Sequence, residues 1–429
     1  MRELVLRDAP KLAKAIGREH GKTIPDAMGE ITRGVEALEF ATNAPHVTKG
    51  EFSRNVGGGI DAFSVREPVG VVGCITPFNF PVMIPLMMGA MAIATGNAVV
   101  LKASEKVPTS ALQLSELWKE AGLPDGVWNV VQGDREAVDA MLEHPGISAV
   151  SFVGSTAVGE YVYQKGTSNN KRVACYAGGK NHMVVMPDAD LESAADAFVS
   201  SGYGSASQRC MAVSLLLPVG EQTADRMREL LLPRINALKV GAYDDPKADF
   251  SALVSAESRK AVESAVDDCR KAGAELVLDG RGLRVEGHAE GFYMGPTLLD
   301  RVTPDMEFYK KEVFGPARGI VRAKDLDEAI AITNSHDYGN GAVIYTRDGR
   351  AAQRFVADVE AGMIGVNVPV PVPVGYFNFG GLRRSKFGEA QMFGPDAARF
   401  YTKLKTVSQR WPDVAVKALP QSLAFAPNA

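Results

Sequence analysis

From residue 69 onward, short apolar runs alternate with longer stretches in which apolar residues recur every three or four positions. Val69–Ile75, Ala98–Lys102, Trp128–Val131 and Ala149–Val153 have the length and content of strands. Pro81–Ala94, Pro108–Ala121 and Arg135–Glu143 carry the helical period, and Tyr161 sits in the helix that follows Val153. Apolar strands separated by amphipathic helices predict a parallel sheet covered on both faces. After Ala177–Asn181 the pattern resumes with Met183–Met186, Ala189–Ser201, Val213–Val219 and Ala224–Leu238. It continues through Ala256–Ala272, Leu326–Thr333, Gly341–Thr346 and Arg350–Val359, so a second α/β unit of similar size is expected.

The flanks have another texture. Residues 1–43 predict two helices broken around Gly21, with Asp26–Ala41 the better second segment. Residues 50–68, GEFSRNVGGGIDAFSVREP, are Gly-rich between strand-like ends and predict a projecting hairpin. In Phe400–Trp411 the residues Lys403, Lys405 and Thr406 are interspersed with apolar positions, as in a half-exposed strand. Beyond Trp411 the chain is rich in Pro and Ala and reads as a loose tail. The most apolar stretch, Val82–Leu101, is interrupted by Pro85, Gly89, Gly96 and Asn97, so it reads as a buried helix and strand instead of a membrane span.

Composition narrows the function classes. With 429 residues, two domains are the expectation. A net charge of -4 without a basic run offers no footprint for nucleic acid or an anionic membrane. The four cysteines, Cys74, Cys175, Cys210 and Cys269, are far apart and match no disulfide or zinc spacing. The six histidines are scattered, so no metal is implied, and the cysteine usage suits a reducing compartment such as the cytoplasm.

Four short segments can carry chemistry. Cys210 lies in GYGSASQRCMA, where small residues let a substrate approach the sulfur and Arg209 can favour the thiolate; the alternative is a buried small hydrophobe. Asn79, in Thr76–Pro81 directly after a strand, can offer its amide to an oxyanion or merely cap the next helix. Lys102 and Glu105, at the end of a strand, suit an adenosine ribose or a solvated charged turn. Phe152–Gly159 is a strand–Gly–helix junction whose amides suit a pyrophosphate, although it is not GxGxxG.

In this order FNFP, LKASE, FVGST, GGK, QRC and EVFGP resemble the aldehyde dehydrogenase superfamily, from about residue 20 to about residue 410. The resemblance implies an aldehyde dehydrogenase-like fold of two open parallel-sheet α/β domains plus a small oligomerisation hairpin. Residues 1–179 would form an NAD-binding domain with 50–68 inserted, 180–399 a catalytic domain carrying Cys210, 400–411 an oligomerisation strand and 412–429 the tail. By the same resemblance Cys210 is the nucleophile, and Asn79 with the Cys210 N–H holds the oxyanion. Thr76, Phe78, Lys102, Glu105, Lys106 and Ser155 would lie along NAD, with Glu312 and Phe314 at its nicotinamide ribose. A homodimer or homotetramer is implied.

Hydrolytic members carry a glutamate two residues before GGK, where this chain has Tyr176, a poor base at neutral pH. An acceptor such as coenzyme A is therefore expected. RGVEALEFATNAP, GKNHMVVMPDAD, GVNVPVPVP and FYTKLKTVSQRW look like the CoA-acylating methylmalonate- and malonate-semialdehyde dehydrogenase branch. In that branch arginines matching Arg33 and Arg209 serve the substrate carboxylate, the alternatives being a helix-surface charge and a structural ion pair. Three features depart from the branch: Tyr176 replaces its usual Asn, AGGK replaces MGAK, and the amino terminus is shorter by several tens of residues. Another aldehyde dehydrogenase activity and a non-catalytic homologue stand as alternatives.

Overall fold

The computed structural model describes residues 1–411. The expected loose tail, 412–429, lies outside the described residues.

Two sheets organise the chain. In the first, Arg172–Tyr176, Ile147–Val153, Val71–Ile75, Ala98–Lys102 and Trp128–Val131 lie side by side and parallel. In the second, Thr297–Asp300, Ala317–Ile320, Val213–Pro218, Asn181–Val185, Gly341–Tyr345 and Met363–Val366 are parallel, with Glu275–Leu278 added antiparallel at one edge. The central strands are buried along nearly their whole length, which is why they read as continuous apolar runs and not as alternations. Each sheet has its own apolar core.

Val71–Ile75 has a neighbour on each side, Ala98–Lys102 and Ile147–Val153, so the winding reverses at this strand. Ligands of open α/β sheets sit outside the carboxyl ends at such a reversal.

The amino-terminal region forms helices Arg2–Arg7, Ala9–His20 and Ile24–Ala41. The extra break at Asp8 has a local cause: Pro10 supplies no N–H and is suited to a fresh first turn. Gly21 ends the second helix at φ +90, where a Cβ would lie 2.9 Å from the Ala252 carbonyl. The stretch Val82–Leu101 folds as helix Met83–Ala94 and most of strand Ala98–Lys102. Among the described residues no helix is long and apolar enough to cross a membrane.

Phe52–Gly57 and Ile60–Pro68 form the hairpin, and Thr402–Gln409 pairs with its second strand from Pro68 to Asp61. The division that ended the second region at residue 399 is corrected by the chain path. Lys386–Phe387 adds antiparallel to Tyr176 and Cys175 at the edge of the first sheet. Met392, Phe393, Ala397 and Phe400 then pack into that sheet's core. Local pattern has no access to this return, because it depends on which distant edge strand is left unpaired.

Candidate active site

A cavity of about 1020 Å³ opens at the carboxyl ends of the first sheet and reaches across to the second. Its walls are the turn after Val71–Ile75, the turn after Ile147–Val153, the loop bearing Cys210 and the segment around Glu312.

Thr76, Phe78 and Asn79 line it from the first turn, Lys102 and Glu105 from the next strand end. Lys102 Nζ lies 3.0 Å from Glu105 Oε2. Despite some desolvation, a backbone N–H and the Lys102 ammonium hold the Glu105 carboxyl below its ordinary range. Ser155 precedes helix Thr156–Ser168 and makes no side-chain cap, and the helix's first turn lines the cavity. Uncapped amides and the positive end of a helix dipole suit a phosphate group. Phe78 meets Phe314 edge-on, ring centres 5.9 Å apart, so these two rings join the walls of the two sheets. Lys106 is not part of the lining; its ammonium sits 5.6 Å from the centre of the Phe78 ring.

The AGGK segment joins the sheets at close quarters. Glu312 Oε1 accepts the Gly179 N–H at 3.0 Å, and a Cβ on Gly178 would lie 2.7 Å from both Glu312 Oε2 and Thr156 Oγ1. Lys180 is buried and donates to the carbonyls of Phe308 (2.5 Å) and Lys311 (2.8 Å), anchoring the segment before Glu312. Burial pushes the Glu312 carboxyl up to about 7, against the Gly179 N–H and the nearby Lys180 charge.

Cys210 follows a backbone under strain. Ser205, Ala206 and Ser207 have φ of +57, +48 and +63, a region that disfavours residues with a Cβ by roughly 1 kcal/mol or more each. Buried Gln208 fastens the loop: its Oε1 accepts the Val254 N–H at 3.0 Å and its Nε2 donates to the Ala252 carbonyl at 3.3 Å. The Asn79 amide donates to the Gln208 carbonyl at 3.0 Å, which brings Asn79 beside the loop bearing Cys210. Asn181 and Asn340 both donate to the Cys210 carbonyl, at 2.8 and 3.0 Å. Sequence reasoning missed these two residues; the only available signal was an amide beside GGK and another before a buried strand.

The expected thiolate tuning by Arg209 is corrected. Arg209 is paired with Asp26, so its charge is already neutralised. Burial and then the Glu312 charge push the Cys210 thiol up to about 12, opposed by the N–H groups of Cys210 and Met211. Neither Arg209 nor Arg33 lines the large cavity. Arg33 donates to Glu36 and to the Pro373 carbonyl, both at 2.6 Å. Asp26 and Arg33 lie two helical turns apart on the same helix, about 10 Å by rise.

Tyr176 is also absent from the cavity wall. Its ring packs against Phe379 and Phe393, and its hydroxyl meets the Phe379 carbonyl at 2.9 Å and the Gln391 amide. The returning carboxyl-terminal segment supplies an aromatic socket for this ring. Burial raises the phenol far above its ordinary range.

Residues 1–407 match the aldehyde dehydrogenase family. The chain is 51% identical over 414 residues to the malonate-semialdehyde dehydrogenase of Pseudomonas aeruginosa, covering 96% of this chain and 83% of that protein. It is 44% identical over 427 residues to the mitochondrial acylating methylmalonate-semialdehyde dehydrogenase of Arabidopsis thaliana, covering 98% of this chain and 69% of that one. A Sinorhizobium meliloti protein assigned as a methylmalonate-semialdehyde dehydrogenase, solved complexed with NAD, superposes with a TM-score of 0.96 at 50% identity, covering 96% and 84% of the two chains. The methylmalonate-semialdehyde dehydrogenase of Oceanimonas doudoroffii gives 0.95 at 48% identity, covering 96% and 85%.

Proposed function

The chain belongs to the aldehyde dehydrogenase family, and from that premise we propose that it oxidises malonate semialdehyde or methylmalonate semialdehyde with NAD and delivers the acyl group to coenzyme A. The observation that carries this reading is one cavity lined at once by Cys210, Asn79, Lys102, Glu105 and Glu312, in a chain 51% identical to a malonate-semialdehyde dehydrogenase.

The Cys210 sulfur, once deprotonated, attacks the aldehyde carbon. The Asn79 amide and the Cys210 N–H meet the charge developing on oxygen. Collapse of the thiohemiacetal releases a hydride and leaves a thioester on Cys210. NAD, when bound, supplies the hydride acceptor. The lining fits it: Lys102 and Glu105 would hold the adenosine ribose, and the Thr156–Ser168 helix terminus with Ser155 would meet the pyrophosphate. Thr76 and Phe78 would flank it, with Lys106 beside Phe78, and Glu312 and Phe314 would enclose the nicotinamide end.

The coenzyme A thiol then takes the acyl group, and Cys210 regains its proton. Tyr176 favours this thiol acceptor over water, because a buried phenol bonded to Phe379 cannot activate water at neutral pH. Arg209 and Arg33 serve the substrate carboxylate by exchanging their present partners, Asp26 and Glu36. The assembly is a homodimer or homotetramer in the cytoplasm. Exposed Phe52, Val56 and Leu404 on the three-stranded sheet support the assembly, and four free cysteines suit the compartment.

The test is NADH formation with malonate semialdehyde, with and without coenzyme A. A stoichiometric burst without it and sustained turnover with it are expected. Sustained turnover without coenzyme A overturns the thiol acceptor, and no burst in either condition overturns the oxidation.

A further inference from the structure

Lys22 and Glu30 form an ion pair wholly inside the protein, Nζ to Oε2 2.6 Å, with side-chain exposures of 0% and 1%. Neither lines the cavity. Burying two charges costs desolvation that their attraction offsets only when the remaining protons and lone pairs are also used. Here those remaining bonds go to a single turn. Lys22 Nζ donates to the Asn79 carbonyl at 2.7 Å, and it lies 4.2 Å from the Phe80 ring centre. Glu30 Oε1 accepts the N–H groups of Val82 (2.8 Å) and Met83 (3.1 Å), at the start of a helix that has no side-chain cap of its own. The turn from Asn79 to Met83 is thus gripped at both ends.

Asn79 carries this grip into the site. One N–H of its amide is committed to the Gln208 carbonyl at 3.0 Å, two residues before Cys210. That bond fixes the amide plane, and with it the direction of the second N–H, in a residue that lines the cavity. Donors that need no reorganisation as charge develops are those that stabilise an oxyanion best.

We propose that the Lys22–Glu30 pair positions Asn79, clamping its backbone carbonyl and the following helix start so that the amide is aimed at the substrate oxygen. This rests on the reading of Asn79 as an oxyanion donor. Lys22 and Glu30 are positioning residues, and they touch neither substrate nor NAD. A pair serving stability alone would be replaceable by uncharged groups without kinetic consequence. A pair serving Asn79 would not.

The experiment is the pre-steady-state NADH burst with propanal at saturating NAD, alongside NAD affinity by fluorescence titration and denaturant unfolding. The variants are Lys22→Met/Glu30→Gln, Asn79→Ala and the triple variant. The double variant leaves no buried charge and keeps an acceptor for Val82. It is expected to fold and to bind NAD within about twofold, yet to burst about tenfold or more slowly, a fraction of what losing an oxyanion donor costs. In the Asn79→Ala background the same two changes are expected to add nothing, since both act through one group. A folded double variant with a wild-type burst, or losses that multiply in the triple variant, overturns the proposal. Should the double variant not fold, Glu30→Asp decides, because it keeps the charge and shortens the arm: a slowed burst at unchanged NAD affinity supports the clamp, and an unchanged burst refutes it. A wild-type protein that gives no burst with propanal or malonate semialdehyde removes the reading of the site itself, and the clamp with it.

Discussion

The carbonyl of Cys210 accepts the side-chain amide of Asn181 at 2.8 Å, so the residue after GGK in the second sheet holds the backbone of Cys210. The same amide donates to Ala212, and its oxygen accepts the Gly341 N–H. One buried side chain thereby ties the nucleophile loop to two strands. Replacing Asn181 by Ala leaves several backbone groups without that partner and is expected to cost about 1–3 kcal/mol. Denaturant unfolding measures the loss, and the NADH burst is expected to slow with it.

The thiol of Cys210 is raised to about 12 by burial and by Glu312. The thiolate fraction therefore rises with pH well past neutrality. Alkylation by iodoacetamide in the absence of NAD is expected to climb about tenfold per pH unit from pH 7 to 9. A plateau near pH 8 would contradict the raised pKa. Glu312→Gln removes the negative charge and is expected to quicken alkylation at pH 8 while slowing NAD-dependent turnover.

A methyl group on Gly178 would fall 2.7 Å from Glu312 Oε2 and from Thr156 Oγ1. Gly178→Ala therefore displaces a cavity-lining carboxylate. The expected outcome is weaker NAD binding at a stability cost of about 1–3 kcal/mol. Titration with NAD and unfolding in urea read the two effects separately.

Tyr176 is held in an aromatic socket outside the cavity. Tyr176→Phe removes the hydroxyl from Phe379 and Gln391. It is expected to cost about 1 kcal/mol and to leave the burst and coenzyme A-dependent turnover unchanged. Loss of acyl transfer in a stable Tyr176→Phe protein would give the phenol a chemical role it lacks here.

Asp26 holds the guanidinium of Arg209, to which we assign the substrate carboxylate as a proposal. Asp26→Asn is expected to lower KM for malonate semialdehyde and leave KM for propanal unchanged. Arg209→Ala is expected to raise the first far more than the second. Equal changes for both aldehydes would refute the carboxylate role.

The sequence by itself determined the elements and the order of the motifs along them. Many strands and helices announce themselves through a local period, and Asn79, Lys102, Glu105 and Ser155 lie at element ends that the same periods predict, whereas strands Thr297–Asp300 and Ala317–Ile320 on either side of Glu312 gave no such signal. These ends meet at one cavity because parallel strands bring their carboxyl ends together. What only the tertiary structure decided is where each side chain points and what it finds there. Tyr176 turns into a socket made by residues about two hundred positions later, and residues 386–401 return to the first sheet to build it. Arg209 spends its charge on Asp26, Asn181 and Asn340 converge on the Cys210 carbonyl, and Lys22 with Glu30 clamps Asn79. Periodicity records which face of an element is buried. The partner on the other side of that burial is chosen by long-range packing, which no local pattern of polar and apolar residues encodes.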